Sequence, residues 1–506
     1  MPLFIRVHLC ALILSCTPFL SAAEETDTNE SATNEPTLDV SSTSDESAAE
    51  IIFSGNDTQP IDYLCETGGG SCDHWLNSDE LLLHNLRDVC LSDGVTLSTG
   101  GELRYRYIDE DDRIRPGGPG RSTYDLWRWR HFVQLNVSDW ARVYVEGIDA
   151  SIFDEELPAL SIDKNRWDLL NAYAEVRVPL WSEADSWYRY GRQDLQYGKQ
   201  RLVSTLDWAN TRRNFQGHRL YMTTCDWDID LFTANPVNST TRETALALQD
   251  NERDRPGHDV QFTGLYTSYK GYENRTLDLY WLWKEDSRAA RLPVGGRRHT
   301  IGMRYGGEIP ITDCCCNVAR VWDFDMEGAY QFGSDAGADV SAGFFTMQGG
   351  HRWKNVAWQP RIGGLFYWGS GDDDPNDGQS NTFDVLYPFG HSYWGIIDNL
   401  SGQNLLDYSI QADVKPTDRL KLVAAFHFFD RAKTSDTAYN VARVPFGAVG
   451  GSRDIGEELD LIAKYKVNKN LNVQLGYSLF WYGAFVNQNL PRDDAKQLYL
   501  MTTLQY

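Results

Sequence analysis

Residues 495–506 read AKQLYLMTTLQY. Taken two at a time, Leu498, Leu500, Thr502, Leu504 and Tyr506 fall on one face, with Lys496 ending the row. Gln497, Tyr499, Met501, Thr503 and Gln505 fall on the other. Such alternation marks a strand whose two sides meet unlike surroundings. Two readings fit this stretch alone: an edge strand of a soluble sheet, or the last strand of a sheet closed on itself.

Composition separates them. The chain has 506 residues with 17 Trp, 26 Tyr and 42 Gly, and a mean hydropathy of -0.47. Beyond the first two dozen residues no apolar run approaches the roughly 18 that a membrane helix needs. A chain this aromatic and yet this polar suits a membrane barrel, where lipid-facing and water-facing residues cancel in any average.

The first 23 residues have the form of a secretory signal: Arg6 supplies charge, 7–14 is largely apolar, and Ser21-Ala22-Ala23 offers a small-residue cleavage site. The alternative is a poor lipobox at Ile13-Leu14-Ser15-Cys16. Residues 24–60 are expected to be an acidic disordered linker, because Ser, Thr, Asp and Glu bury too little surface to fold. Residues 61–96 form a cysteine-bearing segment, read as a plug or tether. Residues 24–93 hold seventeen acids and one base, Arg87, so most of the net charge of -25 precedes the barrel. The acidic balance therefore says little about a pore.

From Leu97 the alternation recurs. Leu103, Tyr105 and Tyr107 oppose Glu102, Arg104 and Arg106; Trp127 and Trp129 oppose Arg128 and Arg130; Trp322, Phe324 and Met326 oppose Asp323, Asp325 and Glu327. About eighteen such segments can be counted. They lie near 97–107, 126–137, 140–150, 168–178, 187–193, 215–223, 225–234, 259–270 and 276–285, then 299–307, 320–332, 337–347, 356–369, 405–415, 419–429, 456–467, 471–483 and 495–506. Connections after odd strands are mostly long and those after even strands mostly short; 333–336 and 308–319 break the rule. A soluble sandwich has no cause for that rhythm. The expected fold is all-β: a transmembrane antiparallel β-barrel of about 18 strands, with long extracellular loops, short periplasmic turns and both termini in the periplasm. Trp residues near strand ends fit the aromatic girdles at the two interfaces. A barrel of this size is too wide for wall side chains alone to plug.

Beyond the signal there are seven cysteines: Cys65, Cys72 and Cys90 before the first strand, and Cys225, Cys314, Cys315 and Cys316 in even-numbered turns. That topology puts all seven in an oxidising compartment. Disulfides are expected to clamp the N-terminal segment, with a helix over 79–89, at the barrel mouth. One thiol is left over, and the pairing stays open. A metal site is the competing reading, although adjacent cysteines do not match zinc spacing.

The stretch GRQDLQYGKQRLVSTLDWANTRRNFQGHRL at 191–220 resembles the signature of the alginate export family. So do YQFG at 330–333, PRIGGLFYWGSGDDDPNDG at 360–378 and TFDVLYPFGHSYWGIIDN at 382–399. The similarity covers about 97–506. It implies an outer-membrane porin of eighteen strands that lets an acidic polysaccharide out through an arginine-rich lumen, in contact with outer-membrane lipid. The cysteine-bearing segment, outside the similarity, is read as gating the barrel or tethering it to a periplasmic secretion partner.

An alginate-like chain carries about one carboxylate per sugar. A pore for it needs many cationic donors that each hold it weakly, and arginine pairs carboxylates bidentately while staying charged. Arg104, Arg106, Arg128, Arg130, Arg142, Arg177 and Arg219 have the inward phase on the first six strands, and Arg304 and Arg361 follow. The family motif adds Arg192, Arg201, Arg212 and Arg213, in a loop expected to fold into the lumen. Arg192 is out of phase and needs a bulge or the strand's end. The plainer alternative is that these arginines pair with lumen acids such as Asp228, Asp230, Asp278, Asp323, Asp325 and Glu327 and stiffen the wall. In that case the chain is a general or substrate-selective diffusion porin for small anionic solutes. Neither reading involves a cofactor, nucleic acid or catalysis: no GxSxG motif occurs and the ten His show no metal spacing. The acidic run 372–378 could bind calcium through its oxygens but lacks EF-hand spacing.

Overall fold

The structure is a computed structural model and describes residues 86–116, 118–238, 253–288, 295–314 and 316–506. The signal, the linker, Cys65, Cys72, Cys315 and most of the helix expected over 79–89 lie outside the described residues. At the described end of that segment the chain forms a short strand, Val89–Ser92, paired back onto the first barrel strand.

Eighteen antiparallel strands form one closed sheet. They are β1 (Val95–Asp111), β2 (Arg121–Val137), β3 (Ala141–Phe153), β4 (Asn165–Arg177), β5 (Asp185–Gln193), β6 (Phe215–Thr223), β7 (Trp227–Asn238), β8 (Val260–Tyr272) and β9 (Arg275–Asp286). The second half supplies β10 (Gly296–Thr312), β11 (Val318–Asp335), β12 (Ala338–Trp353), β13 (Arg361–Gly369), β14 (Leu405–Thr417), β15 (Leu420–Arg431), β16 (Asp454–Lys466), β17 (Leu471–Tyr482) and β18 (Ala495–Gln505). Each pairs with the next, and β1 pairs with β18 from Glu102↔Gln505 to Asp111↔Lys496, which closes the cylinder. Closure gives every strand two neighbours and leaves no edge to lipid. Among the described residues no helix is long and apolar enough to cross a membrane.

The two faces of each strand sort as the alternation requires. On β18, Leu498 and Leu500 are exposed on the outer wall, while Gln497 and Tyr499 are buried inside. Tyr506 finishes the closure: its backbone exchanges hydrogen bonds with Gly101, and Trp129 Nε1 donates to its hydroxyl at 2.7 Å. Short turns such as 224–226, 273–274 and 418–419 gather at one end, and the long connections 194–214 and 370–404 at the other. The turn between β11 and β12, 336–337, is the one short connection at the long-loop end. The free, exposed thiols Cys225, Cys314 and Cys316 lie in short turns at the opposite end.

The main apolar core lies inside the barrel. It is built from inward residues such as Phe215, Phe232, Phe262 and Phe429 packed against loop residues such as Leu202, Phe383, Trp394 and Ile397. The 194–214 and 370–404 connections are therefore folded into the lumen. They pair with each other in parallel at Val203↔Tyr387. Tyr387 N–H donates to Leu202 C=O at 2.8 Å, and Ser204 N–H to Tyr387 C=O at 2.9 Å. Backbone pairing satisfies groups that would otherwise be buried without partners.

Candidate functional site

The lumen wall carries charge on almost every strand. Arg104 and Arg128 are cross-strand partners on β1 and β2, one step from the pair Glu102 and Arg130. Together with Arg106 these arginines are buried on one side of the lumen. Wall carboxylates take part of their field, Glu102 binding Arg128 at 2.5 Å and Glu146 binding Arg130 at 2.7 Å, and an acid of the infolded 194–214 loop reaches all of them but Arg106. Asp207 reaches Arg212 at 2.6 Å and Arg128 at 3.0 Å, with Arg104 at 3.7 Å and Arg130 at 3.9 Å. The loop's backbone points carbonyls the same way. Arg104 donates to Asp207 C=O at 2.6 Å and Ala209 C=O at 2.9 Å, and Arg106 to Trp208 C=O at 2.8 Å. Burial pushes the Asp207 carboxyl up, and Arg128, Arg212, Arg104 and Arg130 outweigh it to hold the group well below the usual carboxylate range.

The opposite wall is acidic, and the same loop answers it with the opposite sign. Arg201 donates to Asp325 at 2.6 Å and to Glu327 at 2.8 Å across the lumen on β11. Arg304 bridges Asp278 and Asp325, and Arg361 chelates Asp323 at 2.7 and 2.5 Å. One loop thus spans the lumen from cationic to anionic wall. The 370–404 loop is fixed in the same manner. Asp384 binds Lys284 at 2.6 Å, and its backbone N–H and C=O engage the Gln331 amide. Burial pushes the Asp384 carboxyl up, and Lys284, Arg298 and Arg443 outweigh it and lower it. The loops meet at Trp208, whose ring lies 4.0 Å from the Arg106 guanidinium and 3.7 Å from the His391 ring.

The remaining arginines singled out from sequence divide into three kinds. Arg142 and Arg219 face the lumen, paired with Glu175 at 3.0 Å and Asp230 at 2.5 Å. Arg213 lies between the two loops, donating to Ser204 C=O and Pro388 C=O at 3.3 Å each. Arg177 and Arg192 stand apart from this group. Arg177 ends β4 at the short-turn end, 44% exposed, paired with Asp139 and Asp185. Arg192 shares its parity with outward Tyr188 and Tyr190, and its guanidinium is taken up by Leu169 C=O and Asp254 C=O. It sits at the strand's end, just after Gly191 at φ 140°, where a Cβ would fall 2.2 Å from Ala172 O.

Sequence reasoning passed over Arg189, which faces the lumen, pairs with Glu175 at 2.7 Å and lies 3.9 Å from the Tyr173 ring centroid. Its alternation with Tyr188 and Tyr190 was the available signal. It also passed over Arg298 and Arg352, buried on β10 and β12 against Asp335 and Asp413. Among the described residues most lumen arginines are matched by a carboxylate within salt-bridge distance, as the stiffened-wall alternative requires. Arg106 and Arg213 have no such ion pair there, and Arg104 has only the long one to Asp207.

A model described as alginate export matches residues 95–499. The chain belongs to the alginate export family. Solved structures similar to it include Pseudomonas aeruginosa OccK3 (OpdO), at 14% identity and a TM-score of 0.52, covering 81% of this chain and 95% of that one. The P. aeruginosa outer membrane protein OprD is 12% identical, with a TM-score of 0.52 over 81% and 93% of the two chains. P. aeruginosa OccK8 (OprE) is 14% identical, with a TM-score of 0.53 over 81% and 98%. Identities this low speak for the fold alone. Among curated proteins none matches the sequence. Family membership and a porin-like barrel together make this chain an outer-membrane channel.

Proposed function

We propose that the channel exports an anionic polysaccharide, alginate-like in carrying a carboxylate on each sugar, by passing those carboxylates along the lumen arginines. The observation that carries this reading is Asp207, a carboxylate of the infolded 194–214 loop held among Arg104, Arg128, Arg130 and Arg212. Asp207 holds the place that a uronate carboxylate takes when the polymer enters. Exchange of one carboxylate for another needs no net change of buried charge, so it avoids the desolvation cost of an unpaired guanidinium. Arg106, which has no carboxylate partner among the described residues, is the first contact offered to the incoming chain. In this reading the long loops face outward and both termini the periplasm. The short-turn end, with its free thiols, meets a periplasmic secretion partner, and no residue performs catalysis.

Single-channel recording in a planar bilayer tests it. Polyuronate added to the bath should block the current while a neutral glucan does not, and Arg104→Ala with Arg106→Ala should weaken the block about tenfold or more. Ohmic conductance indifferent to both polymers would instead make the chain a diffusion porin for small anions.

A further inference from the structure

At the short-turn end of the lumen, β12–β16 carry cations in an arrangement that strand pairing disfavours. Arg352 stands directly opposite Arg361, and Lys421 directly opposite Lys464. Like charges on facing residues repel. Asp323 binds Arg361 at 2.5 Å, while Asp413 is shared, with Arg352 at 2.6 Å and Lys421 at 3.7 Å. The charges that bear most on Lys421 are one carboxylate, Asp413, and three cations, Lys464, Arg352 and Lys415. This lysine face is short of negative charge.

The N-terminal end of the described chain lies at the same end of the barrel, on the lumen side. Val89–Ser92 pairs with the start of β1, below the point where β18 stops. Just upstream, Ser98, an inward residue of β1, donates to the Asp88 carboxylate at 2.9 Å. Arg87 sets its guanidinium 4.7 Å from the ring centroid of Phe132, inward on β2. Gly100 leaves room for it, since a Cβ there would fall 2.7 Å from Arg87 Nη2. The described chain therefore begins on the inner wall of the mouth and not beneath its rim.

The sequence before that point complements the lysine face. Residues 46–85 hold eight acids and neither lysine nor arginine. Only β17 and β18 separate β16 from β1, so at about 4.8 Å per strand the lysines lie roughly 15 Å around the wall. Glu80 and Asp79 stand six and seven residues before Leu86, an extended reach of up to about 20 Å.

We propose that the acidic segment 46–85 docks on the lysine face through Asp79 and Glu80 and closes part of the short-turn mouth, an intramolecular counter-anion for Lys421 and Lys464. Being on the same chain, it acts at an effective concentration on the order of millimolar. The contact is electrostatic, so salt weakens it. The docking does not depend on which solute passes, and its failure would leave the export reading untouched.

The full chain in detergent is treated with a carbodiimide, which joins a carboxylate to a lysine amine beside it as an amide while the reagent takes up the water. Tryptic peptides are then read by mass spectrometry. We expect Asp79 or Glu80 joined to Lys421 or Lys464 at low salt, and about fivefold less product at 1 M KCl, where the screening length falls to about 3 Å. The exposed pair Lys270–Asp228, 2.8 Å apart, is the positive control. That control product without any product between the segment and the lysine face would overturn the docking. In planar bilayers without polymer, Asp79→Asn with Glu80→Gln should raise the low-salt conductance about 1.5-fold or more. Conductance equal to the parent's would overturn the closure even where the cross-link forms.

Discussion

At the scale of single residues, Asp207 decides how the lumen behaves. Asp207→Asn removes the loop charge that four guanidinium groups share while keeping the side chain's shape. Breaking a buried pair from one side costs about 3–5 kcal/mol, which the loop's carbonyl contacts to Arg104, Arg106 and Arg128 offset only in part. The loop should leave the cationic wall, anion conductance should rise, and polyuronate should bind more tightly than in the unaltered channel, all read in the same bilayer. Unchanged conductance would deny Asp207 its part in closure. The pH dependence follows from the sign of the shift. A carboxylate whose folded pKa is depressed stabilises fully above its unfolded value of about 3.9 and loses that contribution as pH falls toward the folded one. Acidification from pH 8 to pH 5 should therefore leave the Asp207 contact in place, with no opening attributable to it.

At the scale of elements, the 194–214 loop is a strut with a charge of each sign on opposite walls, zipped to the 370–404 loop by backbone pairing. Arg201→Gln would leave Asp325 and Glu327 facing each other with Arg304 as their remaining cation. The strut should loosen at its acidic end. The amides of Ser204 and Tyr387, bonded across the zipper at 2.9 and 2.8 Å, should then exchange hydrogen with solvent about a hundredfold faster or more. Exchange as slow as in the parent protein would mean that the apolar packing of Leu202, Phe383 and Ile397 holds the loops unaided. The strands themselves were legible because a two-residue period depends only on neighbours. Each of the eighteen expected segments overlaps an observed strand; the anticipated short connection at 333–336 recurs as the turn 336–337, whereas the longish connection expected over 308–319 is the short turn 313–317, so it keeps to the rhythm. An infolded 194–214 loop was expected from the family motif. The descent of 370–404 was not, since a loop has no period, and the wall that receives Trp394 and Ile397 is assembled from strands far along the chain. Arg189 was lost for a smaller reason: Tyr188 and Tyr190 beside it face lipid, so the inward parity on that short strand is the reverse of the one that would include Arg192.

At the scale of the molecule, the barrel exposes a belt of apolar side chains on its outer wall, while its main core lies inside, where inward strand residues pack against infolded loops held by ion pairs. The outer wall therefore tolerates charge far worse than the inner. Ile410 and Gln411 are neighbours on β14 with opposite fates, Ile410 being 56% exposed on the outer wall and Gln411 8% exposed on the lumen side. Ile410 pairs across the sheet with Gly364 and Phe426, well within the strand, so an arginine there must cross lipid to reach water. Ile410→Arg should cost about 2–4 kcal/mol if its depth is near the bilayer midplane. Gln411→Arg adds a cation to a lumen face that already carries Asp413 and Asp407, and should cost well under half as much. Urea unfolding of barrels folded into phosphatidylcholine vesicles, followed by tryptophan fluorescence, measures both. Equal losses at the two positions would mean that the two sides of the wall are not solvated differently, and a closed cylinder in a bilayer cannot produce that result.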